Sequence, residues 1–136
     1  MVNMHVHVRV VKHIEWLDDD LLADREAVIE LFQKIIDLDL GITWAANNGL
    51  IASFLDQELL RYMVDSGGVG FRIGIESGND DILKKIKKPA SKQSLRQASK
   101  LLAQFPELFV VGCYIIGFEN ETVEQILDTF KFSIEM

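Results

Sequence analysis

The stretch Phe71-Arg72-Ile73-Gly74-Ile75-Glu76-Ser77-Gly78-Asn79 is the one from which the chain is best read. Phe71 to Ile75 is a short run rich in β-formers and predicts a strand. It passes without a spacer into a carboxylate, a hydroxyl, a glycine and an amide. Glu76 directly follows the apolar strand and precedes Gly78, which points its carboxylate across the strand mouth. Gly74, inside the strand, marks a place where another group or a packed neighbour comes close to the backbone. Asn79 is suited to cap a short helix running to about Lys85, and Pro89 then breaks the chain.

Outward from this stretch, strands and helices alternate. Downstream, Ser91 can cap a helix that buries Leu95, Ala98, Leu101 and Leu102 until Pro106. Phe109 to Gly117 is the longest apolar run, and its lack of alternation suits a strand covered on both faces, as in a parallel sheet. Thr122 and Gln125 form a capping box opening a last helix, with Val123, Ile126, Leu127 and Phe130 as its apolar positions. Upstream, Asp56 can cap a helix that buries Leu59, Leu60, Met63 and Val64 and ends at Gly67-Gly68. Ile42 to Ala46 predicts a strand, and Asn47-Asn48-Gly49 reads as a turn. Residues 24–39 place Ala27, Val28, Leu31, Phe32, Ile35 and Ile36 on one helix face. His5 to Trp16 alternates in part and fits one strand or two short ones, followed by Asp18-Asp19-Asp20.

Four strands, each followed by helix, imply right-handed parallel crossovers. A doubly wound sheet and part of a (β/α) barrel both fit that order. In either, ligands sit at the C-terminal ends of the strands. Those ends carry Asp18-Asp19-Asp20, Asn47-Asn48-Gly49, Glu76-Ser77-Gly78-Asn79, and Gly117 to Thr122. Three adjacent aspartates equally suit the positive N-terminal end of a helix.

Composition narrows the function. The 136 residues, 49% apolar and 26% charged, fit one globular domain, residues 1–136, with a hydrophobic core. A net charge of −7 argues against nucleic acid as partner. The basic cluster Lys84, Lys85, Lys87 and Lys88 reads as a solvated helix end meeting the negative pole of the helix dipole. No apolar run approaches the ~20 residues that span a membrane, and the N-terminus lacks the order of a secretory signal; a cytoplasmic protein is expected. His5 and His7 share a strand face without a nearby carboxylate pattern and read as solvated strand residues. The single cysteine, Cys113, lies mid-strand and reads as an inert buried thiol. One cysteine excludes an intrachain disulfide, a multi-thiolate zinc site, and a cubane cluster held by three cysteines of this chain. No metal ligand set and no catalytic residue is assigned.

The strand ending in Gly74-Ile75-Glu76-Ser77-Gly78, with the Leu83-Lys84 helix and the Lys88-Pro89-Ala90-Ser91 break, resembles the middle of radical S-adenosylmethionine (SAM) enzymes. It looks most like the branch often fused to cobalamin-binding domains. Gly112-Cys113-Tyr114-Ile115-Ile116-Gly117-Phe118-Glu119-Asn120-Glu121-Thr122 is similar to that family's strand and turn ending in Gly-Phe-Pro-Gly-Glu-Thr, with Glu119-Asn120 in place of Pro-Gly. Ile14 to Leu22 resembles a third segment, an apolar strand ending in paired aspartates. Order and spacing agree over about residues 14–134.

The resemblance implies a partial, TIM-like (β/α) barrel. It implies SAM as cofactor, chelated to a four-iron cluster held by a Cys-x3-Cys-x2-Cys loop and cleaved reductively to a 5′-deoxyadenosyl radical. It implies Asp18 and Asp19 near the methionine moiety, Glu76 and Ser77 facing the ribose, and Gly112 to Glu121 bordering adenine, with Ile115 packing on it and Gly117 permitting close approach. No Cys-x3-Cys-x2-Cys occurs here, and the first β/α unit and the last ones are missing, so units two to five are expected, with no 4Fe-4S cluster and at best weak SAM binding. Two readings follow: part of a radical SAM enzyme, inactive by itself, or a stand-alone half-barrel that binds a ligand or partner. Four units leave two open sheet edges and an apolar inner face, which predicts a homo-oligomer.

Overall fold

The computed structural model describes residues 11–136. His5 and His7, and the start of the first expected strand, lie outside them. The described strands are β1 (His13–Trp16), β2 (Thr43–Leu50), β3 (Gly68–Glu76) and β4 (Phe109–Tyr114). They form one sheet in the order β1-β2-β3-β4, every neighbouring pair parallel. Helices α1 (Arg25–Leu38), α2 (Gln57–Asp65), α3 (Asp80–Lys85), α4 (Lys92–Leu102) and α5 (Val123–Glu135) supply the crossovers and the last return, with a 3-10 turn at Ala52–Phe54. This is the α/β architecture of a partial barrel, with all four strand C-termini on one rim.

The helix starts follow from local chemistry. Asp24, Asp56, Asn79, Ser91 and Thr122 each accept hydrogen bonds from first-turn amides of α1 to α5 in turn. Ser91 and Thr122 complete reciprocal capping boxes with Ser94 and Gln125. The core lies between α1, α2 and the helix face of β2 and β3. Phe32 and Trp44 are both fully buried and stacked, centroids 4.9 Å apart at 12°. Trp44 Nε1 donates to Ser66 Oγ at 3.0 Å, and that hydroxyl donates to the Met63 carbonyl at 3.0 Å, so the indole is buried without an orphaned N–H. Leu59, Leu60, Met63, Phe71, Ile73 and Ile75 close around them.

Several sequence expectations are corrected. Asn47-Asn48-Gly49 is no turn: β2 continues to Leu50. Between the pairs Ala46–Phe71 and Leu50–Ile73 the register shifts, and Gly49 takes φ +101° there. Asn47 Nδ2 donates to Glu15 Oε2 at 2.5 Å and Asn48 Nδ2 to the Leu17 carbonyl at 2.7 Å, tying the irregular stretch to β1. β4 is shorter than the apolar run and is an edge strand, with Phe109 76% exposed and Val111 also exposed. Cys113 is half-buried, not enclosed.

The last helix buries a different face from the one expected. Thr129 and Phe132 are buried, whereas Val123, Leu127, Phe130 and Ile134 are between 49% and 87% exposed. Its strongest apolar stripe faces away from the chain. The open sheet face is also less apolar than expected. Arg72, Gly74 and Glu76 alternate with the buried Phe71, Ile73 and Ile75, so they lie opposite the helices. On that side of β1 and β2, His13 Nδ1 meets Thr43 Oγ1 at 2.8 Å, His13 Nε2 meets Glu15 Oε1 at 3.1 Å, and Asn47 adds the bond above. The inner face is polar on β1 and β2 and apolar along β4.

Candidate site at the strand-end rim

At the end of β1, Asp18 and Asp19 are exposed. Asp20 turns inward to the chain, its Oδ1 accepting the Leu22 N–H at 3.2 Å, and so serves the turn toward α1. Two strands away, the end of β3 divides its residues between two faces. Glu76 takes φ +68°, unusual for a residue with a Cβ, and its carboxylate folds back over the inner face of its own strand. There Oε1 accepts from Lys88 Nζ at 3.0 Å; the two side chains are 21% and 19% exposed. A Cβ on Gly74 would stand 2.6 Å from Glu76 Oε1 and 3.0 Å from Lys88 Nζ. The group expected to approach Gly74 is therefore this ion pair.

Ser77, Gly78 and Asn79 serve the other face. Ser77 is fully buried, its hydroxyl 3.1 Å from Thr129 Oγ1 on α5 and accepting the Asn79 N–H at 3.1 Å. Thr129 Oγ1 accepts the Gly78 N–H at 2.9 Å, and Asn79 Nδ2 donates to Asp128 Oδ2 at 2.9 Å. Any side chain at Gly78 would strike α5, within 2.5 Å of Phe132 Cβ and 2.7 Å of the Asp128 carbonyl. Three of the four residues from Glu76 to Asn79 thus fasten α5 to the strand end, and only Glu76 turns to the open face. Ser77, expected at the ligand surface, is enclosed and acts through this fastening.

β4 continues the site. The Ile115 N–H donates to the Glu76 carbonyl at 2.8 Å, extending the strand pairing and setting Ile115 beside Glu76. Ile115 and Ile116 are about half exposed. Gly117 follows at φ +92° with open space where a Cβ would be. Glu121 Oε2 accepts the N–H groups of Gly117 at 2.6 Å and Phe118 at 3.1 Å, holding the turn that lacks Pro-Gly. Its Oε1 is buried with no partner among the described residues. Lys85 Nζ donates to the Glu119 carbonyl across the same turn. The structure thus brings Glu76, Ile115 and Gly117 together, with Asp18 and Asp19 at the far side of the same rim.

Sequence reasoning missed Lys88, grouped with solvated lysines but carried inward, and Glu121, whose turn-closing role is visible only as a carboxylate four residues after Gly117. A cavity of about 510 Å³ between α4, α5 and the helix face of β3 and β4, lined by Leu95, Ala98, Leu102, Val110 and Tyr114, lies away from this rim. Burial pushes the Tyr114 phenol above its usual range, so it stays a neutral hydroxyl.

With this geometry in view, the family is shown directly: residues 2–133 match the model of the Radical SAM superfamily, and the chain belongs to it. It is 31% identical over 123 residues to an uncharacterized methyltransferase of Pyrococcus horikoshii, covering 90% of this chain and 26% of that protein. It is 26% identical over 116 residues to the anaerobic magnesium-protoporphyrin IX monomethyl ester cyclase of Rubrivivax gelatinosus, covering 85% and 21%. Its fold matches the radical S-adenosylmethionine methyltransferase TsrM from Kitasatospora setae, a structure with cobalamin and a [4Fe-4S] cluster bound. The TM-score is 0.77 at 12% identity, over 90% of this chain and 25% of that one. The chain spans a fifth to a quarter of the length of the curated relatives it matches.

The family's cluster does not fit these residues. It takes three thiolates, and the sequence holds one cysteine, half-buried on β4. Among the described residues no three His, Cys, Asp or Glu side chains could hold a metal ion together. No helix among them is long and apolar enough to cross a membrane.

Proposed function

We propose that this chain supplies the nucleoside-cradling side of a radical SAM active site of the cobalamin-associated branch, working in the cytoplasm, and that it does not cleave SAM by itself. The observation that carries this reading is the junction of β3 and β4. There the Glu76 carboxylate is held inward over Gly74, and the Glu76 backbone is bonded to that of Ile115, whose side chain is half exposed and which leads into the open Gly117 turn. A carboxylate accepts from two vicinal ribose hydroxyls, and an apolar side chain over a glycine turn offers a flat surface to adenine. Asp18 and Asp19 suit the ammonium of the methionine end. Ser77 contributes by keeping the strand end fixed to α5. With no cluster ligands, the methionine end lacks its metal anchor, so affinity is weak.

Calorimetry and NMR titration of the chain with SAM and 5′-deoxyadenosine test this. Weak saturable binding of both, lost in Glu76→Ala, is expected. Absence of binding, or binding untouched by Glu76→Ala, overturns it. Reconstitution with iron and sulfide is expected to give no stoichiometric four-iron absorbance.

A second reading rests on a separate observation, the exposed stripe Val123, Leu127, Phe130 and Ile134 of α5, with Phe109 exposed on β4. In this reading the half-barrel is an interaction module, and a second copy covers the stripe and edge. Light scattering at micromolar concentration showing a stable monomer removes the homo-oligomer.

A further inference from the structure

Lys88 is the cation of the run Lys84, Lys85, Lys87 and Lys88 that the chain carries furthest from solvent. The backbone directs it there. After α3 ends, Lys87 takes φ +56° and the Lys88 N–H donates back to the Leu83 carbonyl at 2.9 Å. That reversal brings the Lys88 side chain to the open face of β3, where Nζ meets Glu76 Oε1 at 3.0 Å. The room for both heads is the missing Gly74 side chain. Glu76 itself pays for this placement with a left-handed backbone, φ +68°. Without Lys88 the carboxylate loses the one hydrogen-bond partner it has among the described residues, and it would swing out from over Gly74.

We propose that Lys88 is the positioning residue of the site. It fixes the Glu76 carboxylate over Gly74, leaving Oε2, which makes no hydrogen bond among the described residues, as the acceptor presented to a vicinal diol. This deepens the nucleoside reading above and rests on it for the identity of the ligand, although the placement itself does not depend on any ligand. Lys88 is not a catalytic residue here; it acts through Glu76.

The test therefore has two separable arms, both on the full chain. In isotope-labelled protein, the nuclear Overhauser contact between the Glu76 γ-protons and the Gly74 α-protons is expected in the wild type, lost in Lys88→Met and restored in Lys88→Arg. An unchanged contact in Lys88→Met overturns the proposal. In the second arm, adenosine is titrated against 2′,3′-dideoxyadenosine. The wild type should prefer adenosine, and Lys88→Met should lose about tenfold in adenosine affinity with little change for the dideoxy compound, the size expected for one charge-assisted hydrogen bond. Equal losses for both compounds would mean that Lys88 only supports the fold. Gly74→Ala keeps both charges yet displaces the pair, and should lose the same discrimination if Lys88→Met does not fold. Should the wild type bind neither compound, the nucleoside reading falls, while the first arm still decides whether Lys88 places Glu76.

Discussion

The two halves of this sheet are built from the same kind of sequence and end in different states. Around β2 and β3, amphipathic helices α1 and α2 bury the centres of their apolar faces; Phe32, Trp44, Leu60 and Met63 are without exposed surface, while Leu31, Ile35 and Ile36 are half-buried. Around β4, an equally amphipathic α5 leaves Val123, Leu127, Phe130 and Ile134 in the open and buries Thr129 and Phe132. The difference teaches that apolar periodicity names a helix and its stripe but not what the stripe meets. In the closed half the partner is in the chain. In the open half α5 is held through polar bonds to Ser77, Gly78 and Asn79, and its apolar side faces outward.

The contrast can be broken by mutation. Phe32→Ala, deep in the closed half, should cost about 3–5 kcal/mol through lost burial and the cavity left beside Trp44, read from urea unfolding. A cost under about 1 kcal/mol would mean that this half is not a tight core. Thr129→Val removes the acceptor of the Gly78 N–H and the partner of the Ser77 hydroxyl while conserving shape. It should cost about 1–3 kcal/mol, and a neutral result would show that α5 is not held through the strand end.

The ion pairing between α1 and α2 gives a smaller effect. Asp56 is raised by partial desolvation, but the Leu59 N–H and the Arg25 guanidinium at 2.8 Å outweigh this and hold its carboxyl below the usual range. A depressed folded pKa contributes stability that is present above the unfolded value of about 3.9 and is lost as pH falls through the folded one. Being half exposed, the pair contributes modestly. The urea midpoint should drop below pH ~4 and the drop should flatten in Asp56→Asn; an identical profile in the variant would discount the pair. The smallest change is expected from Phe130→Gln, within about 0.5 kcal/mol because the ring is exposed. A loss comparable to Phe32→Ala would erase the distinction between the halves.

Much of the fold was legible because its signals are local. Four of the five helix caps, Asp56, Asn79, Ser91 and Thr122, were readable, since a side-chain oxygen and the amides it bonds are at most three residues apart; Asp24, the cap of α1, was not singled out. The parallel order followed from strand and helix alternation. The Asn47–Gly49 stretch misled because turn-forming residues also serve an irregular strand when their side chains can reach a neighbour, here Glu15 and Leu17. The β4 run misled because apolar content does not record whether both faces of a strand are covered, and Phe109 and Val111 are exposed.

For the site, the resemblance located the rim but not the division of labour along Glu76-Ser77-Gly78-Asn79. By itself the sequence determined the order of the elements, most of their starts, the polar strand ends and, through one cysteine, that this sequence does not supply three thiolates. Only the tertiary structure decided that Ser77 and Gly78 serve helix docking, that Lys88 crosses to Glu76 above Gly74, and that the apolar side of α5 is open. The physical reason is range. Caps and periodicity act over a few residues, whereas ion pairing across 12 residues and docking across 51 are settled by packing, which no local pattern records.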